Sequence, residues 1–321
     1  MDKCLVTGGA GFIGSHVVHA LEAGGASVRV LDNLSTGSRA NLEGSSAELV
    51  IGDITDGAIV AGAVDGVDVV FHLAAMISVP ASMQDPRSCY QTNVIGSLNL
   101  LEAARKAGVR RVVLSSSCAV YGDSPGPSAE TDPPDPRSPY AASKVAMEDL
   151  GRLYTSAFGL SSVSLRYFNV YGPRQSPSSA YAAVIPAFIQ ALLKGRPPLV
   201  HGDGSQSRDF VYVEDVAQAN LLAACLQAGG PPVVNIGTGR SQTILELANL
   251  LHRLLPGEAP VFGPARAGDL HASCSDTRLA QEALGFRPTT AMERGLQRTV
   301  EWMRGGTARM PTMPARDEAS G

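Results

Sequence analysis

The chain has 321 residues, 44% of them hydrophobic and 17% charged, with 30 acidic against 26 basic side chains and a net charge of −4. Such a composition fits a soluble globular protein of one large or two medium domains with a sizeable core. The weak negative charge and the lack of a basic cluster exclude nucleic acid and anionic membranes as expected partners, leaving a small molecule. Five scattered cysteines, Cys4, Cys89, Cys118, Cys225 and Cys274, show no metal-type or redox-type pairing, so no metal is expected and a reducing cytoplasm is. The amino terminus has no signal-peptide pattern, and no apolar run approaches ~18 residues.

The first elements read as strand, helix, strand. The apolar run KCLVT (residues 3–7) meets GGAGFIGSHVVHALEAGG, and Val28 to Asp32 is a second apolar run ending in an acid. Gly8, Gly11 and Gly14 let the turn bend tightly, bring backbone N–H groups against a pyrophosphate, and let the helix pack closely on the sheet. Asp32 lies at the distance where a carboxylate holds a ribose 2′-hydroxyl and repels a 2′-phosphate, so NAD is favoured over NADP. Residues 48–51 and 67–73 read as further strands, ending at Gly52-Asp53 and Ala74-Ala75. Ligands of open parallel sheets sit beyond the carboxyl ends of the strands, which places Asp53 near the adenine and Ala74 near the nicotinamide. Asp53 could equally be a turn or helix cap.

Residues 93–107 have helical apolar spacing (Val94, Leu98, Leu101) and stop at Gly108. Asn93 could cap that helix or contact the cofactor. Residues 109–115 read as a buried strand that delivers Ser115 to Ser117 to the same rim as Gly11 and Ala74. A proline-rich loop follows, and then Tyr140-Ala-Ala-Ser-Lys144 opens a helix over 140–154. At four residues' separation Lys144 can sit beside the Tyr140 phenol. A nearby cation favours the phenolate, which matters because an ordinary tyrosine titrates near pH ~10 and is a poor base. Ser117 would hydrogen bond the substrate oxygen.

Residues 162–168 read as a strand leading to Asn169, where the texture becomes rich in proline, glycine and short polar residues. The expected organisation is a nucleotide-binding domain over 1–168, to which 209–236 returns, and a smaller α/β substrate region over 169–304. Within the latter, helices are expected at 187–194, 214–228, 244–255 and 276–284, two short strands around the glycine turn in 199–213, and a strand at 233–236. The tail 305–321 lacks apolar periodicity and is expected to be disordered.

The ordered motifs TGGAGFIG, DNLSTG, GDI, HLAA, SSSCAVYG, YAASK, RYFNVYGPRQ, GDGSQSRDFVYVEDV and NIGTG together resemble the extended short-chain dehydrogenase/reductase family. Within it, the chain is similar to the nucleotide-sugar 4-epimerases acting on UDP-hexoses. The resemblance runs from the first glycine motif to about Trp302 and implies a Rossmann-type doubly wound parallel sheet, bound NAD and a homodimer. It implies Ser117, Tyr140 and Lys144 as the catalytic trio. The cofactor would be held by Gly8, Gly11, Phe12, Ile13, Gly14, Asp32, Asn33, Ser35, Thr36, Gly37, Asp53, Ile54, Leu73, Ala74, Ala75, Asn93, Tyr140, Lys144 and Tyr167. The UDP-sugar would meet Ser78, Ser117, Asn169, Val184, His201, Arg208, Arg266, Asp269 and Ser273, with guanidinium forks suited to the diphosphate.

Departures separate the relatives. Related dehydratases and decarboxylases carry an acid just after the serine, where this chain has Cys118-Ala119-Val120. Asn169 stands where UDP-glucuronate 4-epimerases tend to have threonine. Ser273 stands where epimerases limited to plain hexoses resemble one another in a bulky tyrosine. The resemblance therefore implies interconversion of UDP-Glc/UDP-Gal, with room for UDP-GlcNAc/UDP-GalNAc. A net oxidoreductase such as a 4-keto-sugar reductase, with the same fold and trio, is the alternative, and a non-catalytic member of the fold is another.

Overall fold

The structure is a computed structural model that describes residues 2–124, 126–176, 183–227, 229–265 and 271–305. Its nucleotide-binding half begins with β1 (Lys3–Thr7), α1 (Phe12–Ala23), β2 (Ser27–Asp32), β3 (Glu48–Ile51), α2 (Gly57–Val64) and β4 (Val69–His72). Short helices α3 (Val79–Gln84) and α4 (Pro86–Tyr90) run through a π-helical stretch at Gln91–Ile95 into α5 (Gly96–Ala107). β5 (Arg111–Ser117), α6 (Pro139–Phe158) and β6 (Ser162–Tyr167) follow. The remainder comprises β7 (Asn169–Tyr171), α7 (Val184–Leu193), β8 (Leu199–His201), β9 (Ser207–Tyr212), α8 (Val213–Ala224), β10 (Val233–Ile236), β11 (Ser241–Thr243), α9 (Ile244–Leu254), β12 (Val261–Gly263), α10 (Arg278–Leu284) and α11 (Met292–Met303).

Seven strands form one parallel sheet in the order β10-β6-β5-β4-β1-β2-β3. This is the doubly wound arrangement: the chain builds outward from β1 to β3, then crosses back to place β4 on the other side of β1. Both faces are covered, which is why the strands are continuous apolar runs rather than alternating ones. Val6, Val30, Phe71 and Leu165 pack under α1 and α8, whereas Leu5, Leu31, Val70 and Leu114 pack against α2, α5 and α6. The crevice at a reversal of strand order, here beyond Thr7 and His72, is where such sheets bind ligands.

A second core is formed by α7, α9 and α11 with β7, β8 and β9. The glycine turn in 199–213 does separate two strands, but they are not partners: β9 lies between β7 and β11, and β8 pairs with β12. β9 serves both cores: Phe210 and Tyr212 bury into the second, whereas Val211 packs under the large sheet together with Val216 and Ala217 of α8. Within the expected substrate region, α10 also leaves it, burying Ala280 and Leu284 under the large sheet. Helix α11 fits against the small sheet because Gly295 has no side chain: a Cβ there would lie 2.3 Å from the Tyr171 hydroxyl. No helix among the described residues is long and apolar enough to cross a membrane. The tail beyond residue 305 lies outside the described residues.

Candidate active site

The turn between β1 and α1 is built for close approach. Gly8 has φ +69° and sits against the Ala74 backbone; a Cβ on Gly14 would lie 2.1 Å from the Gly8 carbonyl oxygen. Gly11 caps α1 without a side-chain hydrogen bond, and the first turn carries no acid. Its N–H groups and positive dipole end therefore remain for an anion. Asp32, at the end of β2, accepts from the Ala10 N–H (2.9 Å) and the Leu34 N–H (2.8 Å), so its carboxylate is locked at the crevice. Asn33 donates to Asp53 (2.7 Å), and Thr55 donates to Asp53 through both N–H and hydroxyl. Burial raises the Asp53 pKa, but those hydrogen bonds outweigh it and hold the carboxyl below its ordinary value.

One crevice is lined by Gly8, Gly11, Phe12, Ile13, Gly14, Asp32, Asn33, Ser35, Thr36, Asp53, Ile54, Leu73, Ala74, Ala75, Tyr140, Lys144 and Tyr167. Gly37 and Asn93 stand behind it. A Cβ on Gly37 would touch the Ala10 backbone. Asn93 is buried, accepts from the Met76 N–H (2.8 Å), and donates to the Met76 carbonyl (3.0 Å) and Ser143 (2.9 Å). It shapes the wall rather than lining it.

The opposite side of that wall rests on His72, which sequence reasoning passed over inside the motif HLAA. The Ser97 hydroxyl spends its one proton on the Asn93 carbonyl, so it accepts from His72 Nε2–H (2.9 Å). Nδ1 of the neutral ring is then an acceptor, and the Thr7 hydroxyl, which also accepts from the Ala74 N–H (3.2 Å), donates to it (2.8 Å). Burial, helped by the Lys144 charge, lowers the His72 pKa to about 3 and keeps the ring neutral, as this chain requires.

Ser138 caps α6 by accepting from the Ala141 N–H, with Pro139 in the first turn, so the helix starts where Tyr140 faces the crevice. Ser117 ends β5 and lies near enough to Tyr140 to favour its phenolate. Lys144 Nζ donates to the Ser115 carbonyl (2.7 Å) and stands 5.9 Å from the Tyr140 ring centroid. The expected help of the Lys144 charge to the Tyr140 phenolate meets an opposing effect. Burial pushes the phenol up to about 12, against a lowering influence of Ser117. Burial likewise pulls Lys144 down to about 8. The protein by itself favours neutral phenol.

A second cavity of about 340 Å³ opens in the smaller region, lined by Asn169, Val184, His201 and Arg208 together with Phe188 and Phe210. Three amide oxygens on its wall, of Asn169, Gln175 and Gln206, are buried without a hydrogen-bond partner among the described residues. The Gln175 and Gln206 amide N–H groups are engaged, by Val170 and His201 carbonyls, so the oxygens are the free ends. Buried acceptors left unpaired are costly, so a ligand carrying N–H or O–H donors fits this cavity. Both glutamines lie within the motifs RYFNVYGPRQ and GDGSQSRDFVYVEDV, but sequence reasoning assigned neither a role.

Ser273 donates its N–H to the Ser207 carbonyl (3.1 Å) and places its hydroxyl 4.0 Å from Cys118 Sγ, next to Ser117. Burial raises the Cys118 thiol to about 11. Ser78 caps α3 by accepting from the Ala81 N–H (3.1 Å). Arg266 and Asp269 lie outside the described residues. Among the described residues, no group of three His, Cys, Asp or Glu side chains is placed to hold a metal.

Comparison with known proteins agrees with this geometry. A UDP-glucose 4-epimerase of Mycolicibacterium smegmatis is 42% identical over 314 residues, covering 94% of this chain and 98% of the relative. The structure of a UDP-N-acetylglucosamine 4-epimerase from Methanobrevibacter ruminantium, in complex with UDP-N-acetylmuramic acid, superposes with a TM-score of 0.91 at 40% identity. That match covers 95% of this chain and 98% of the other. A UDP-glucose 4-epimerase from Thermus thermophilus in complex with NAD gives 0.85 at 40% identity, over 94% and 99% of the two chains. The sequence profile of the NAD dependent epimerase/dehydratase family matches residues 4–237, and the chain belongs to that family.

Proposed function

We propose that the chain is an NAD-dependent 4-epimerase of UDP-hexoses, interconverting UDP-Glc with UDP-Gal and UDP-GlcNAc with UDP-GalNAc through a 4-keto sugar. The observation that carries this reading is the pair of buried side chains Tyr140 and Lys144 beside the partly buried Ser117 at the carboxyl rim of the sheet, with uncharged Cys118 following the serine. Related dehydratases and decarboxylases carry a carboxylate at that position, so Cys118 argues against elimination of water or loss of carbon dioxide. NAD fits the crevice: the uncapped start of α1 suits its pyrophosphate, and Asp32 suits a ribose hydroxyl. When bound, NAD would supply the hydride acceptor for sugar carbon 4 and then the donor that returns hydride to the opposite face of that carbon.

The side chains do the rest. Tyr140 removes the proton from the sugar 4-hydroxyl and gives it back. Burial keeps Tyr140 neutral in the protein alone, so its phenolate depends on Lys144 and on the positive charge that an oxidised nicotinamide brings. Ser117 orients the reacting oxygen. The unpaired oxygens of Asn169, Gln175 and Gln206 receive the base of the nucleotide, whose uracil ring has an N–H donor, and Arg208 serves the diphosphate. Anchored there, the sugar is free to turn over between the two hydride transfers. Ser273 leaves space for a 2-acetamido group.

The test is incubation of the purified protein with each UDP-sugar and no added cofactor, following the 4-epimer by NMR. Turnover supports the reading. Conversion only with stoichiometric consumption of nicotinamide nucleotide would make the protein a net oxidoreductase, and absence of any conversion would refute catalysis on these sugars.

A homodimer is part of the same proposal. Tyr90, Ile95, Leu153 and Phe158 leave apolar side chains exposed on α4, the turn before α5, and α6, and such a face is suited to a four-helix contact between copies. Light scattering giving a monomer mass would refute it. All five cysteines are unpaired, which suits a cytoplasmic location.

A further inference from the structure

Two of the serines that end β5 meet α6 at different turns: the Ser115 carbonyl accepts from Lys144 and the Ser116 hydroxyl donates to Glu148. Tyr140, Lys144 and Glu148 are spaced four apart and so share one helix face. Glu148 is fully buried and accepts two hydrogen bonds from Arg166 on β6, 2.9 Å from Nε and 2.7 Å from Nη2. The Arg166 guanidinium in turn lies 4.7 Å from the centroid of the Tyr121 ring, in the helical turn that follows Ser117. Tyr121 donates to Asn235 (2.7 Å), whose N–H donates to Glu130 (2.7 Å). The ion pair therefore grips the chain on both sides of Ser117, at Ser116 and at Tyr121, and holds the helix that carries the other two groups.

We propose that Glu148, backed by Arg166, is a positioning residue that keeps Ser117, Tyr140 and Lys144 in register for the reaction; this rests on the epimerase reading above. The pair's burial is itself an argument. A buried ion pair gives little net stability compared with an apolar pair of similar volume, whereas removing one partner strands a charge. Its negative charge also favours the protonated form of Lys144.

The test compares wild type, Glu148→Gln and the double variant Glu148→Gln/Arg166→Met, with UDP-sugar as substrate, measuring kcat, KM, bound NAD in acid extracts and thermal unfolding. The single variant is expected to unfold at lower temperature and to lose kcat by about 10- to 100-fold, the size of effect that follows small misplacement of reacting groups, with KM little changed. In the double variant no charge is stranded, so stability should return, with NAD bound as in wild type, while kcat stays low. Recovery of kcat together with stability would overturn the proposal, as would a single variant with wild-type kcat at a temperature where it is folded. An inactive wild type would instead refute the epimerase reading, so the two failures are distinct.

Discussion

Lys144 allows a stability effect to be separated from a catalytic one. Its ammonium is 3% exposed, and burial lowers its pKa from 10.5 to about 8, so at pH 7 the folded protein carries a charge that it would rather not bury. At ~1.36 kcal/mol per pH unit, that interval corresponds to ~3 kcal/mol. Lys144→Met removes this cost but leaves the Ser115 carbonyl without its donor, a loss of about 1–3 kcal/mol. At pH 7 the nucleotide-free variant should therefore be as stable as wild type or up to ~2 kcal/mol more stable, while inactive. The pH dependence gives the sharper test. Between pH 8 and 10.5 the unfolded chain still binds the lysine proton and the folded one does not, so wild-type stability rises with pH across this window. Below pH 8 both states are protonated and the contribution is flat. Urea unfolding of the nucleotide-free proteins from pH 7 to 10 should show wild type gaining on the variant by up to ~1.4 kcal/mol per pH unit above pH 8, other groups cancelling in the difference. Parallel curves, or a variant less stable by several kcal/mol at pH 7, would refute the assignment of a desolvated cation.

Three further substitutions probe the site. Tyr140→Phe should retain bound NAD in acid extracts yet lose about 10²- to 10⁴-fold in kcat, and a nearly active variant would remove Tyr140 from the role of base. Gly14→Ala puts a methyl 2.1 Å from the Gly8 carbonyl, so bound nucleotide should fall sharply and stability drop by about 1–3 kcal/mol, read by nucleotide extraction and thermal unfolding. Ser273→Tyr should abolish turnover of UDP-GlcNAc while sparing UDP-Glc in parallel NMR assays; loss of both would displace Ser273 from the sugar pocket.

What the sequence determined alone is what local patterns can encode. Glycine spacing, the apolar runs and Asp32 specify the strand-turn-helix-strand that opens the crevice, because backbone conformation and close approach at Gly8 and Gly14 depend on having no side chain. The four-residue step from Tyr140 to Lys144 and the Ser138-Pro139 start of their helix are equally local. Met292, Leu296, Val300 and Met303 fall at helical spacing, so helix α11 could be read locally; its seat could not, since that is a close contact between Gly295 and Tyr171, far away along the chain. The same holds for the pairing of β9 with β7 and β11, for the meeting of Ser273 with Cys118, and for the free oxygens of Gln175 and Gln206. Only tertiary structure decided that Tyr140 is held as a neutral phenol and that Glu148 and Arg166 lie behind the trio. The reason is that spacing along the chain sets which groups share a face, whereas burial and long-range partners set their charge, and those arise only when distant segments pack together.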